Sequence, residues 1–142
     1  MRIRLLMLGK TRRPELRAVL DDYVKRIARS WPTEVTEVRD GAGALKKLQT
    51  DRAATSVLLD VAGKVYDSVA FAKWLREQRD GGTREIIFVC GDADGFPEAL
   101  REQVRQKVSL SALTYSHELA RVMLAEQIYR ALAMLSGSPY PK

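Results

Sequence analysis

Residues 85–95 read EIIFVCGDADG, a strand pattern followed at once by a glycine-acid loop, and this stretch decides the fold. Five consecutive apolar side chains, from Ile86 to Cys90, predict a strand buried on both faces, because a half-exposed strand would alternate apolar and polar residues. Pro97 then predicts the start of a helix that ends near residue 106. A strand that is buried on both faces and followed by a helix is typical of a mostly parallel sheet with helices on both faces.

The same alternation of strand and helix patterns runs outward through the chain. Strands are predicted at residues 3–8, 35–38, 56–61 and 108–111, and helices at 14–30, 44–48 (extending towards residue 51), 68–78 and 116–135. Asp60, Gly91 and Thr114 then lie at or just beyond the ends of strands. Since ligands of parallel sheets bind beyond the carboxyl ends of the strands, we expect a binding site at these three loops.

The composition indicates one ordinary globular domain, residues 1–142. Hydrophobic residues make up 46% and charged residues 30% of the chain, which is long enough to bury a core without disulfides. One cysteine and one histidine exclude a disulfide framework and a zinc site built from those ligands. The sequence lacks an apolar run of about 20 residues and a signal-peptide pattern, so we expect a cytoplasmic protein with no membrane partner and no metal.

The net charge of +6 is unevenly distributed. Residues 1–14 hold five cations and no acid, and residues 105–142 hold five cations against two acids, whereas the segment between them is slightly acidic. If the chain ends meet on one face, they form a phosphate-attracting patch. Solubility alone is the alternative explanation of this charge bias.

The last helical pattern is apolar around almost its whole circumference, from Leu119 to Leu135. Such a helix is buried on more than one side. In a domain this small, a partner subunit is expected to cover the second side, so the pattern predicts a homodimer built around this helix.

Three shorter patterns are weak. Gly41-Ala42-Gly43, about twenty residues before Asp60, imitates a dinucleotide fingerprint without its third glycine, and a mobile surface loop is the favoured interpretation. Asp92-Ala93-Asp94-Gly95 resembles the start of a calcium loop, but the later ligand positions do not follow. Cys90 is interpreted as a small core thiol rather than a nucleophile.

Two residues on the last helix are polar among apolar neighbours. His117 and Arg121 are four residues apart and therefore share a helix face. A helix cap with a surface cation is one interpretation. Their position directly after the Thr114-Tyr115 loop favours the other, in which both face the ligand site.

Several linked motifs carry a resemblance to a known family. In chain order they are Leu59-Asp60-x-x-Gly63-Lys64, the loop 91–95, the run 109–114, His117-x-x-x-Arg121-Val122 and Glu126-x-x-Tyr129-Arg130-Ala131. Together they resemble the RlmH family, the large-subunit ribosomal RNA pseudouridine N3-methyltransferases of the SPOUT superfamily. The likeness covers the whole chain and is strongest after residue 57.

The resemblance implies a SPOUT-type α/β fold with a C-terminal trefoil knot, S-adenosylmethionine as cofactor, a homodimer, and 23S rRNA within the ribosome as partner. The implied reaction is methylation of N3 of a pseudouridine in helix 69. The implied cofactor-binding residues are Leu59, Gly91, Leu110, Ser111, Ala112, Leu113, Thr114 and Tyr115. The candidate catalytic residues are His117, Arg121 and Tyr140, with Lys142 as a further cation on the tail.

The chain departs from the family pattern at two places. Asp92 stands where the family usually has a second glycine, and the tail ends Tyr140-Pro141-Lys142 instead of Tyr-His-basic. Two alternative functions stay open: a SPOUT methyltransferase that acts on another RNA, such as tRNA, and a non-catalytic ribosome-associated RNA-binding protein.

Overall fold

A computed structural model describes residues 1–140, in which strands and helices alternate strictly along the chain. The strands are β1 (Arg2–Leu8), β2 (Thr33–Val38), β3 (Thr55–Val65), β4 (Glu85–Cys90) and β5 (Gln106–Ser109). The helices are α1 (Pro14–Ala28), α2 (Gly41–Thr50), α3 (Ser68–Asp80), α4 (Glu98–Gln103) and α5 (His117–Ser136).

All strand pairs are parallel, and the sheet has the order β2-β1-β4-β3-β5. The strand predicted to be doubly buried, β4, is the central one, and its residues from Ile86 to Cys90 are almost inaccessible to solvent. The predicted class, a mostly parallel α/β sheet, is therefore confirmed. The trefoil knot stays a prediction from the resemblance.

Helices cover both faces of the sheet, as predicted. Along β1, Leu5 and Met7 point into a core that includes residues of α1, α3 and α5. Leu6 and Leu8 point into the opposite core, which includes residues of α2 and α4. This alternation follows from the two-residue period of a strand, which places successive side chains on opposite faces.

Helix α5 is buried within its own chain more than the sequence indicates. It packs against α1 and α3 and on the sheet core between them. These two neighbouring helices supply part of the cover that the sequence assigned to a partner subunit, and the homodimer itself stays a prediction. Leu119 and Met134 remain 39% and 42% exposed. Among the helices of residues 1–140, none has the length and apolarity that crossing a bilayer requires.

Two glycines lie where neighbouring atoms leave no room for a Cβ. Strand β3 continues to Val65, past its predicted end at residue 61, with a shift in its register against β5. A Cβ at Gly63 would lie 2.6 Å from the carbonyl carbon of Lys107, so this approach requires glycine. The predicted mobile loop at Gly41 is also wrong, because Gly41 begins α2 and a Cβ there would lie 2.3 Å from Cγ of Pro97.

The basic N-terminal segment does not form a single patch. Arg2 and Arg4 lie at the start of β1, whereas Lys10, Arg12 and Arg13 follow its end, which is about 20 Å away for a strand of this length. Arg4 is neutralised by ion pairs with Glu34, Asp51 and Glu85. Arg2 stays exposed at the start of the strand, and Lys10, Arg12 and Arg13 are exposed beyond its end.

Candidate active site

A cavity of about 210 Å³ lies beyond the carboxyl ends of β4 and β5 and beside residues 59–61 of β3, where the pairing of β3 with β4 ends. This is the edge at which the sequence predicted a site. Its walls come from residues 59–61, 90–92, 95–96, 109–111 and 113–115, with one residue from α4 and two from α5. Of the predicted cofactor-binding residues, the cavity is lined by Leu59, Gly91, Leu110, Ser111, Leu113, Thr114 and Tyr115. Ala112 belongs to the same loop but does not line the cavity.

The loop between β5 and α5 is shaped by its own hydroxyl groups. Ser109 Oγ donates to the carbonyl oxygen of Ser111 at 2.7 Å, and Ser111 Oγ accepts from the backbone N–H of Leu113 at 2.9 Å. The hydroxyls of Ser111 and Tyr115 are 2.9 Å apart. These bonds hold the loop in shape, while the Leu113 side chain stays 71% exposed and can pack on a ligand.

The loop after β4 is a tight turn. Gly95 has a φ of +79°, a left-handed value that favours glycine, and Asp92 Oδ1 accepts from the backbone N–H of Asp94 at 2.9 Å. A Cβ at Gly91 would lie 3.2 Å from the carbonyl oxygen of Gly95. Asp92, the first acidic residue of the segment that resembles a calcium loop, therefore closes the turn. Among residues 1–140, no group of three or more metal-binding side chains comes together.

A buried carboxylate paired with a partly exposed guanidinium forms one wall of the cavity. Asp60 is buried, and its Oδ1 accepts from the backbone N–H of Ala62 at 3.0 Å. Its Oδ2 accepts from Nη1 of Arg101, which lies on α4. Sequence reasoning did not identify Arg101, because a cation on a short polar helix carries no pattern that distinguishes it from a surface residue.

His117 is the first residue of α5 and lines the cavity, as the sequence predicted. The helix start is fixed by Ser116, whose Oγ accepts from the backbone N–H of Leu119 at 3.3 Å. Nε2 of His117 lies 3.9 Å from Oε2 of Glu118. The imidazole is therefore placed beside the loops with its ring partly accessible.

Arg121 does not face the cavity. Its side chain is 0% exposed, and burial lowers the pKa of its guanidinium. Nη2 donates to the carbonyl oxygens of Leu8 at 2.6 Å and Gly91 at 3.2 Å. Nη1 donates to the carbonyl oxygen of Gly9 at 3.2 Å and to Thr11 Oγ1 at 3.1 Å. The expectation that Arg121 points at the ligand is wrong: it joins the ends of β1 and β4 to α5.

Tyr140 also lies outside the cavity, on the surface formed by α1 and α5. Its hydroxyl is 3.3 Å from that of Tyr23 and donates to Glu126 Oε1 at 3.3 Å. Its ring lies edge-on to Tyr129 with centroids 4.6 Å apart, and the Arg130 guanidinium lies 4.8 Å from its centroid. Burial, followed by the bond with Tyr23, raises the pKa of Tyr140, so its phenol is neutral at physiological pH. Pro141 and Lys142 lie outside the described residues.

Comparison with known proteins places this geometry in a family. A family model described as "Predicted SPOUT methyltransferase" matches residues 1–141. A relative from Pelobacter propionicus, described as "Ribosomal RNA large subunit methyltransferase H", is 39% identical over 151 residues that cover 99% of each chain. Other relatives with the same description match at 36% and 43% identity.

Solved structures show the same fold at low identity. The tRNA (m1G37) methyltransferase from Aquifex aeolicus superposes with a TM-score of 0.63 at 15% identity, covering 100% of this chain and 75% of that one. AviRb from Streptomyces viridochromogenes, a SpoU methyltransferase in complex with AdoMet, superposes with a TM-score of 0.53 at 13% identity, covering 90% of this chain and 56% of its own. On the full-length match and the shared fold, the chain belongs to the SPOUT methyltransferase family, among the ribosomal RNA large subunit methyltransferases H.

Proposed function

We propose that this protein is an S-adenosylmethionine-dependent methyltransferase that methylates N3 of a pseudouridine in helix 69 of 23S rRNA, and that it acts as a homodimer on the ribosome. The observation that carries this proposal is the cavity enclosed by the three strand-end loops, in a chain whose full-length relatives are described as ribosomal RNA methyltransferases.

The residues of the cavity fit S-adenosylmethionine. Leu59, Leu110 and Leu113 provide apolar walls for a flat base, and the backbone of residues 109–115 provides donors and acceptors for its edge. The cavity lining includes two carboxylates, Asp60 and Asp92, and one guanidinium, that of Arg101, which pairs with Asp60. The excess of one negative charge favours a cationic sulfonium over a neutral ligand. When bound, this cofactor supplies an activated methyl group, so the protein contributes mainly position.

The target nitrogen must lose its proton, and His117 is the proposed acceptor. It is the only histidine of the chain and lies on the cavity wall. An imidazole changes its charge near neutral pH and is therefore suited to proton transfer. Arg121 is proposed as a positioning residue, because it holds the carbonyl group of Gly91 rather than reaching the cavity.

Tyr140 is proposed to stack on the target base, a common use of aromatic side chains in RNA binding. To do so it must give up its bonds with Tyr23 and Glu126. Tyr140→Phe then keeps the stacking ring and should retain activity, whereas Tyr140→Ala should lose it. Equal activity of both variants would refute the stacking role.

The homodimer is supported by the partly exposed apolar side chains of α5, Leu119 and Met134. Sedimentation at high micromolar concentration tests it, and a single monomeric species would contradict it. The reaction itself is tested by incubating the protein with labelled S-adenosylmethionine and ribosomes from a strain that lacks it, followed by mass spectrometry of the rRNA. Transfer only to tRNA would favour another RNA substrate, and absence of heat on titration with S-adenosylmethionine would favour a non-catalytic binder.

A further inference from the structure

We infer that a second, basic cleft beyond the end of β1 docks backbone phosphates of the RNA substrate. This inference rests on the proposed function and adds the surface through which the substrate is held. The cleft is a cavity of about 790 Å³ between the loop of residues 9–14, the first turn of α1 and the end of β2. It shares no lining residue with the cavity proposed for the cofactor.

The cleft concentrates positive charge in a concave surface. Lys10, Arg12, Arg17 and Arg39 line it, against one acid, Glu37. Arg17 is 50% exposed and lies 3.8 Å from Glu37. Within residues 1–140, no ion pair reaches the exposed side chains of the other three cations. Cations left together without internal counter-charges are suited to an external polyanion, and guanidinium groups bind phosphate with two parallel hydrogen bonds.

The backbone of the cleft is held rigidly by α5. Glu118 Oε1 accepts from the backbone N–H groups of Arg12 at 3.0 Å and Arg13 at 2.9 Å. Arg121 donates to Gly9 and Thr11 from one turn further along the helix. The side chain of Arg12 is thus free to bind while its backbone is fixed. A phosphate bound in the cleft would contact side chains, because the backbone N–H groups of Arg12 and Arg13 already donate to the carboxylate of Glu118.

The same helix turn connects the cleft to the candidate active site. The guanidinium of Arg121 bonds to the carbonyl oxygens of both Gly9, in the cleft loop, and Gly91, in the cavity wall, each at 3.2 Å. His117 and Ala120 of that turn line the cavity. A strand of RNA anchored in the cleft is therefore held at a fixed offset from the cavity, which is the positioning that methyl transfer requires. This adjacency favours an RNA backbone over an acidic protein surface as the occupant.

The test compares two triple variants that remove the same charge. The cleft variant is Lys10→Gln/Arg12→Gln/Arg39→Gln, and the control is Lys73→Gln/Arg76→Gln/Arg79→Gln on the exposed face of α3. Binding to large ribosomal subunits and to a naked rRNA fragment is measured between 50 and 200 mM salt, together with methyl transfer and the heat of S-adenosylmethionine binding.

For the cleft variant we expect the affinity for both probes to fall about tenfold or more. The slope of log affinity against log salt concentration should also become less steep by about 2 to 3, since each lost phosphate contact reduces its magnitude by nearly one. The control variant should match the wild type, and both variants should bind S-adenosylmethionine normally.

Three outcomes would overturn the inference. If the wild type methylates rRNA and the cleft variant keeps its affinity and salt slope, the cleft is not the docking site, although the proposed function stands. If the cleft variant loses only binding to whole subunits and not to naked rRNA, the partner is an acidic protein surface. If the wild type transfers no methyl group to rRNA, the proposed function itself fails, and the inference with it.

Discussion

Replacing Arg121 with alanine removes a side chain whose hydrogen bonds join the ends of β1 and β4 to α5. Four acceptors lose a charged donor: the carbonyl oxygens of Leu8, Gly9 and Gly91, and the hydroxyl of Thr11. The bonds to Leu8 and Thr11 are buried, so water cannot replace them without entering the core. We therefore expect a loss of stability together with a looser cavity wall at Gly91.

The magnitude follows from these contacts. A hydrogen bond from a charged donor contributes about 1.5–3 kcal/mol, but removing the buried cation also recovers its desolvation cost. Two of the four acceptors are buried, and each buried acceptor left without a donor costs about 1–3 kcal/mol, so we expect the free energy of unfolding to fall by about 3–5 kcal/mol. For a chain of this length, the melting temperature should fall by about 10–15 °C.

Equilibrium urea unfolding and calorimetry with S-adenosylmethionine, at one protein concentration, measure the two effects. Arg121→Lys keeps the charge with fewer donors and should be intermediate, which keeps the test usable if the alanine variant does not fold. Arg79→Ala, at an exposed pair with Asp80, is the matched control and should change stability by less than about 0.5 kcal/mol. If Arg121→Ala is as stable as the wild type and binds the cofactor normally but is inactive, the positioning role is refuted and direct contact with substrate is favoured.

Three further predictions concern the frame around the site. The backbone N–H of Arg13 is the largest cause that lowers the pKa of Glu118. The Glu118 carboxylate therefore stabilises the fold above the unfolded pKa of about 4.3, and this stabilisation is lost as the pH falls through the lower folded pKa. The difference in unfolding free energy between wild type and Glu118→Gln should shrink in urea titrations at acid pH, and a pH-independent difference would contradict this. Burial raises the pKa of Cys90 to about 12, so at pH 8 a thiol reagent should label the native protein about a thousandfold more slowly than the unfolded one, and rapid native labelling would show that the thiol is accessible. Gly63→Ala should destabilise the fold by about 1–3 kcal/mol, because its Cβ would meet the backbone of β5. Gly43→Ala is the control, since its Cβ would make only ordinary contacts, and it should be neutral or stabilising in thermal unfolding. Equal stability of the two variants would contradict the close approach at Gly63.

Much of the fold follows from local patterns in the sequence. The strand at Glu85–Cys90 and the helix start at Pro14 lie where the pattern predicts them, because hydrophobic period and proline act over a few neighbouring residues. The three strand-end loops were also predictable as a site, since parallel strands end at a common edge. Boundaries near β5 were less accurate, since a short strand and a short helix compete there for the same residues.

The contacts that define the site's surroundings depend on the tertiary structure alone. The sequence favours an Arg121 that faces the ligand beside His117, with a surface cation as the alternative. The side chain is instead buried, because the crossover connections bring the carbonyl oxygen of Leu8, 113 residues earlier, within 2.6 Å of its Nη2. In the same way Asp60 meets Arg101, and of the N-terminal cations Arg4 is neutralised by acids of other elements whereas Lys10 and Arg12 line an exposed cleft. A sequence determines which residues are apolar and which elements they form, whereas the partner of each polar group is set by which distant strand ends the packed sheet places side by side.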